Sequence, residues 1–174
     1  MAKTRKTPTA IDLLKDDHEK VKKAFKEFEK MDRSDTETCR QVVRTVCDDL
    51  RVHTTLEEEI FYPACEGTVD ESELKEGYVE HDAAKLLIAE IEAAEQGTDD
   101  DFFDTKVHVL SEEIEHHIKE EEGPNGIFAQ ARKGKLDTEA LGEKIAERKK
   151  ELKQRYEADG LPQPKLKTMD EVSV

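Results

Sequence analysis

The chain has 174 residues, of which 35% are hydrophobic and 41% charged, and its formal net charge is -15. That length suits one domain, and the acidic balance argues against nucleic acid and against an anionic membrane surface, both of which need a basic face. No apolar run approaches the roughly 20 residues of a membrane span, so the composition points to a soluble helical protein in which each helix buries one stripe.

Residues 1–8 read as a flexible tail without the apolar core of a secretory signal, and a cytoplasmic location is the expectation. Thr9 is a plausible N-cap for a first helix whose apolar residues, Ile11, Leu14, Val21, Phe25 and Phe28, recur at steps of three and four. His18 occupies the skipped position on that seam. The helix is expected to end near Met31, before Asp32-Arg33-Ser34-Asp35.

A second helix follows Ser34 or Asp35, with the seam Cys39, Val42, Val46, Leu50, His53, Glu57 and Ile60, and Pro63 and Gly67 end it. A third begins around Asp70 to Ser72 and carries Leu74, Tyr78, His81, Ala84 or Lys85, Ile88 and Ile91, up to a loop at Gly97. The fourth carries Phe103, Val107, Leu110, Ile114, His117 and Glu121, until Gly123-Pro124-Asn125-Gly126 breaks it. Four long helices with short connections predict an all-α, up-down-up-down four-helix bundle over residues 9–131. A short accessory helix at 137–157, with Leu141, Ile145, Arg148 and Leu152, is expected to pack outside the bundle, followed by a flexible tail at 158–174. Cys39, Cys47 and Cys65 have no CxxC spacing and read as free thiols.

Four of the six histidines fall on these seams, one per long helix. His53 and His117 each have a glutamate four residues on, Glu57 and Glu121, and such positions share one helix face. Counted from the loops, antiparallel packing brings the four histidines to one level. An ionised carboxylate in an apolar core costs several kcal/mol unless it is paired or bound to metal. Four imidazoles and two carboxylates in one layer therefore point to a cation. The donor set suits Fe, Mn, Zn or Co, and two shared carboxylates suit two metals. Taken singly, Glu57 and Glu121 belong to acidic runs that could be solvated faces, and Glu120 could replace Glu121. His108 and His116 are rotated off the seam and read as surface residues.

The stretches LLKDDHEKVKKAFKEFE, HTTLEEEIFYP, EHDAAKLLIAEIE and HHIKEEE resemble a hemerythrin-like domain of the HHE cation-binding family. The resemblance implies two irons, oxo- or hydroxo-bridged, held by His18, His53, Glu57, His81, His117 and Glu121, with Mn or Zn as other occupants. It also implies O2, peroxide or nitric oxide as the small-molecule ligand. The oxygen-carrying pattern has a further histidine four residues after that of helix three, and Lys85 stands there instead; Thr54 likewise departs from variants with a glutamate after the helix-two histidine. Six protein ligands then serve two metals. Tyr78, one turn from His81, is a candidate to complete the set or to pack as a core aromatic. The expected function is oxidant binding or iron and redox sensing. The alternatives are an enzyme acting on peroxide or nitric oxide, with Tyr78, Glu58 or Glu120 as proton donor, and non-redox metal storage.

Overall fold

A computed structural model describes residues 7–95, 101–159 and 165–169. Among them the fold is all-helical: α1 (Ala10–Lys30), α2 (Thr36–Leu56), a π-helical turn (Glu57–Phe61), α3 (Tyr62–Cys65), α4 (Glu71–Glu95), α5 (Phe103–Glu122), α6 (Ile127–Lys133) and α7 (Thr138–Asp159). None of these helices is long and apolar enough to cross a membrane. The loop expected at Gly97 and the ends of the chain, residues 1–6, 160–164 and 170–174, lie outside the described residues.

The helix starts follow local chemistry. Thr9 and Asp12 form a capping box at the head of α1, each side chain serving the other's backbone N–H. Asp35 caps α2 by accepting from the Thr38 N–H. Packing neighbours make a ring, α1 on α2, α2 on α4, α4 on α5 and α5 on α1. Two apolar clusters fill it. One holds Ile11, Leu14, Leu56, Phe61, Phe128 and Ile145, the other Val21, Phe25, Leu50, Ile88, Leu110 and Ile114. On α1, His18 falls between Leu14 of the first cluster and Val21 of the second, and on α4 His81 falls between Leu74 and Ala84. A buried polar layer thus separates the two.

Three features depart from the sequence reading. The α-helical period does not run through to Ile60. At Glu57–Phe61 the ladder widens, and Tyr62 N–H bonds back to Glu57 C=O. This lies immediately before Pro63, which has no N–H and whose ring clashes with an α-helical carbonyl. The extra residue per turn moves the inward face on, so Glu58, Phe61 and Tyr62 are buried while Ile60 is not fully so. Val43, not Val42, is the core residue of α2's first half.

The accessory helix, expected over 137–157, spans Thr138–Asp159. α7 has 22 residues, as many as a bundle helix, and packs against α1, α2 and the π turn. Leu141 and Ile145 are buried, and Arg148 holds Glu59 at 2.8 Å. Within the stretch expected as a flexible tail, residues 165–169 are tied down. The backbone N–H groups of Lys167, Thr168 and Met169 all donate to the Asp82 carboxylate, at 2.6 to 3.1 Å.

Candidate metal centre

His18 from α1, His53 from α2, His81 from α4 and His117 from α5 converge with Glu57 and Glu121 in the polar layer, and all six are at most 4% exposed. The donors fall into two sets. His18, His53, Glu57 and Glu121 bring one atom each within 4.8 Å of one another, and so do Glu57, His81 and His117. Glu57 is common to both. Its Oε2 lies 3.1 Å from His53 Nε2 and 3.2 Å from His81 Nε2. Glu121 spans the sets too, with Oε2 3.4 Å from His18 Nε2 and 3.7 Å from His117 Nε2. Glu120 does not enter the layer; it is exposed.

Each histidine turns Nε2 inward and Nδ1 toward a carboxylate. His18 Nδ1 lies 2.9 Å from Glu122, His81 Nδ1 3.1 Å from Glu58, and His117 Nδ1 2.7 Å from Glu80. His53 Nδ1 is 3.9 Å from Asp17. The partners of His18, His81 and His117 fix the tautomer and turn Nε2 inward, the arrangement found behind metal-bound imidazoles, whereas His53 Nδ1 has no hydrogen bond. Cations back three of these carboxylates: Lys15 on Glu122, Lys85 on Glu58 and Lys149 on Asp17. None of Asp17, Glu58, Glu80 and Glu122 was anticipated as a partner of a histidine. The seam pattern marks residues that face inward, and these reach a ring from the side.

The inner atoms lack partners. Both oxygens of Glu57 and Oε2 of Glu121 are buried without a hydrogen bond. His18 and His53 present Nε2 to Nε2 at 3.1 Å, and His81 and His117 do so at 3.3 Å. Buried carboxylate oxygens without hydrogen bonds and imidazole nitrogens turned on one another are costly unless a metal ion or protons lie among them. The residues present therefore fit a metal, and the N/O donor chemistry fits iron, manganese or zinc.

Without metal the charges fall to protons. Burial disfavours a charge on His53, but the Glu57 carboxylate and its Asp17 neighbour outweigh that and raise the imidazole to about 10. Burial likewise opposes a charge on His117, yet Glu121 and Glu80 raise it to about 9. Glu57 is held well below the ordinary carboxylate range, because His53 and His81 more than offset its burial.

The residue that sequence reasoning missed is Tyr62. Its hydroxyl donates to Glu121 Oε1 at 2.8 Å and lies 3.4 Å from His81 Nε2, and its ring stacks on His81. Burial and the charges of Glu121 and Glu57 push its pKa well above the usual phenol range, so it stays protonated. Gly77 makes this possible, since a Cβ there would meet the Tyr62 hydroxyl at 2.8 Å. Tyr78 instead packs edge-on against Tyr62, at 5.2 Å between ring centroids. Lys85 does not replace the missing histidine; its Nζ bonds Glu58, Asp82 and the Lys165 carbonyl. A spacing of five from Glu57, across a turn ended by Pro63, was the available signal for Tyr62.

Beside the donors lies an enclosed cavity of about 10 Å³, lined by Val21, Leu50, Ile114 and Ile118 together with the four histidines. That is room for about one water-sized molecule. The three cysteines are buried, none is in a disulfide, and none belongs to a donor set.

Comparison with known families agrees with this geometry. The sequence profile of the hemerythrin HHE cation binding domain matches residues 9–131. The chain belongs to the hemerythrin HHE cation-binding family. No curated protein and no solved structure matches it. The family is described as cation binding, and the described residues bring together His and Glu clusters able to hold a metal ion.

Proposed function

We propose that this hemerythrin-like protein holds two iron ions in an up-down-up-down four-helix bundle and uses them to bind O2 or a related oxidant, or to sense iron and redox state. The observation that carries the reading is Glu57, a fully buried carboxylate without hydrogen bonds that belongs to both donor sets. His18, His53, His81, His117, Glu57 and Glu121 are the proposed ligands, with Glu57 and Glu121 bridging. Bound iron would supply a redox-active Lewis acid with open positions, because six protein ligands do not fill two shells.

The chain's own residues account for the rest. Glu122, Glu58 and Glu80 orient the rings of His18, His81 and His117 through Nδ1. The small cavity beside the four histidines has room for about one water-sized molecule and none for a larger substrate. Tyr62 holds a proton at its hydroxyl within hydrogen-bond reach of Glu121. The test is elemental analysis with an ultraviolet-visible spectrum of protein purified without chelators. About two irons per chain with a charge-transfer band is the expected result; a folded protein with no transition metal overturns the reading.

Tyr62 also favours a second reading, an enzyme acting on peroxide or nitric oxide, since both reactions need a proton donor at the centre. Turnover by the iron-loaded protein that falls in Tyr62→Phe, with unchanged iron content, would select it.

A further inference from the structure

Among the described residues, one group of metal-type donors stands outside the buried layer. Glu80, His116 and Glu120 bring one donor atom each within 4.8 Å of one another. His116 Nε2 lies 3.2 Å from Glu120 Oε1 and 3.7 Å from Glu80 Oε1. His116 and Glu120 are exposed, whereas Glu80 is partly buried and faces both ways. Its Oε2 lies 2.7 Å from Nδ1 of His117, so one carboxylate links the outer group to the inner layer.

A cleft of about 330 Å³ joins the same places. Glu73, Glu76, Glu80 and Glu120 line it, and the buried His117 and Glu121 line it as well. Glu121, a lining residue, carries a buried Oε2 without a hydrogen bond, so the cleft ends on a residue with an unsatisfied carboxylate oxygen. The lining is acidic on a chain of net charge -15, and clefts of one sign concentrate the opposite ion. The opposite flank is packed: Phe128 stacks on His18 at 5.7 Å, and Lys149 of α7 pairs with Asp17 behind His53.

We propose that this cleft loads the centre, with Glu80, His116 and Glu120 as an outer capture site for a divalent cation. The inference rests on the two-metal reading above. One imidazole and two carboxylates suit a hydrated first-row divalent ion, and their exposure makes the hold weak enough to release it. The cation moves inward by exchanging ligands, from the Glu80 side of the cleft to Glu121. No bond but metal coordination changes, and protons leave the ligands as the metal arrives.

The test follows Co(II) uptake by the metal-free full chain, using the visible absorption of the bound ion in a stopped-flow instrument and elemental analysis at the end point. The variant is His116→Ala with Glu120→Gln, both on the surface. Its control is His108→Ala with Glu112→Gln, a matched exposed pair at 3.7 Å on the same helix. The expected result is uptake slowed roughly tenfold or more in the first variant, the scale of electrostatic focusing, with the final two equivalents unchanged and the control at the wild-type rate. Equal rates in all three proteins, or equal slowing in variant and control, overturn the loading route while leaving the two-metal reading intact. Wild-type protein that binds no Co(II) in the inner sets overturns both.

Discussion

The two histidine pairs are near copies on their inner side and differ on their outer side. His18 and His53 stand with ring centroids 4.7 Å apart and planes at 61°, His81 and His117 at 4.8 Å and 58°. Each pair includes an HxxxE helix face. Behind the first pair lie Phe128, α7 and two lysine-backed carboxylates. Behind the second lie the cleft, Glu80 and, on the other flank, Glu58 with Lys85 and the 165–169 stretch. The ring geometry is nearly equal, although the first set brings four donors and the second three, and the halves differ most in access: packing covers the first and the cleft reaches the second.

The largest expected effect comes from the residue both halves share. Glu57→Gln removes the common carboxylate charge, and iron content is expected to fall from about two per chain to near zero. Retention of both irons, by elemental analysis, would show that the halves bind independently.

Packing on the sealed half comes next. Phe128→Ala removes the ring stacked on His18 and edge-on to Phe61, at an expected cost of about 3–5 kcal/mol. Lys119→Ala at the cleft should stay within about 0.5 kcal/mol. Thermal or urea melts compare them, and similar losses would erase the distinction between the flanks.

The pH dependence has a definite sign. His53 and His117 have folded-state pKa values raised to about 10 and about 9. The stability they lend the metal-free protein is fully present below the unfolded imidazole value of about 6.5 and is lost as pH rises through those raised values. Metal competes with the same protons, so its affinity rises across that window. The melting gap between metal-loaded and metal-free protein should therefore widen from about pH 7 to about pH 9. A gap that is constant or narrows would place these imidazoles outside the metal's ligand set.

The smallest effect tests the clamp on the second pair. Asp82→Asn should weaken the bonds to 167–169 by about 1–2 kcal/mol and speed amide exchange there, with two irons retained. Unchanged exchange at those amides would mean that the clamp adds nothing.

The six inner residues were legible because α1, α2, α4 and α5 keep one hydrogen-bond period up to the donor layer, and period alone decides which side chains face inward. Legibility stopped where the period changed. One extra residue in the turn before Pro63 brought Glu58 and Tyr62 inside, where the unbroken α-helical period pointed to Ile60. The backing of each ring was hidden for another reason. Lys149 meets Asp17, and Lys167 meets Asp82, across sequence separations of 132 and 85 residues that no local pattern records. Gly126 was readable as a helix breaker, but not its packing role, since a Cβ there would meet the Glu120 carbonyl at 1.9 Å.

The most direct test of the central claim is anomalous diffraction at the iron absorption edge from a crystal of the iron-loaded protein. Two peaks roughly 3.5–4 Å apart, one among His18, His53 and Glu121 and the other beside His81 and His117, with Glu57 between them, are the predicted result. A single peak, or none within reach of Glu57, would contradict it.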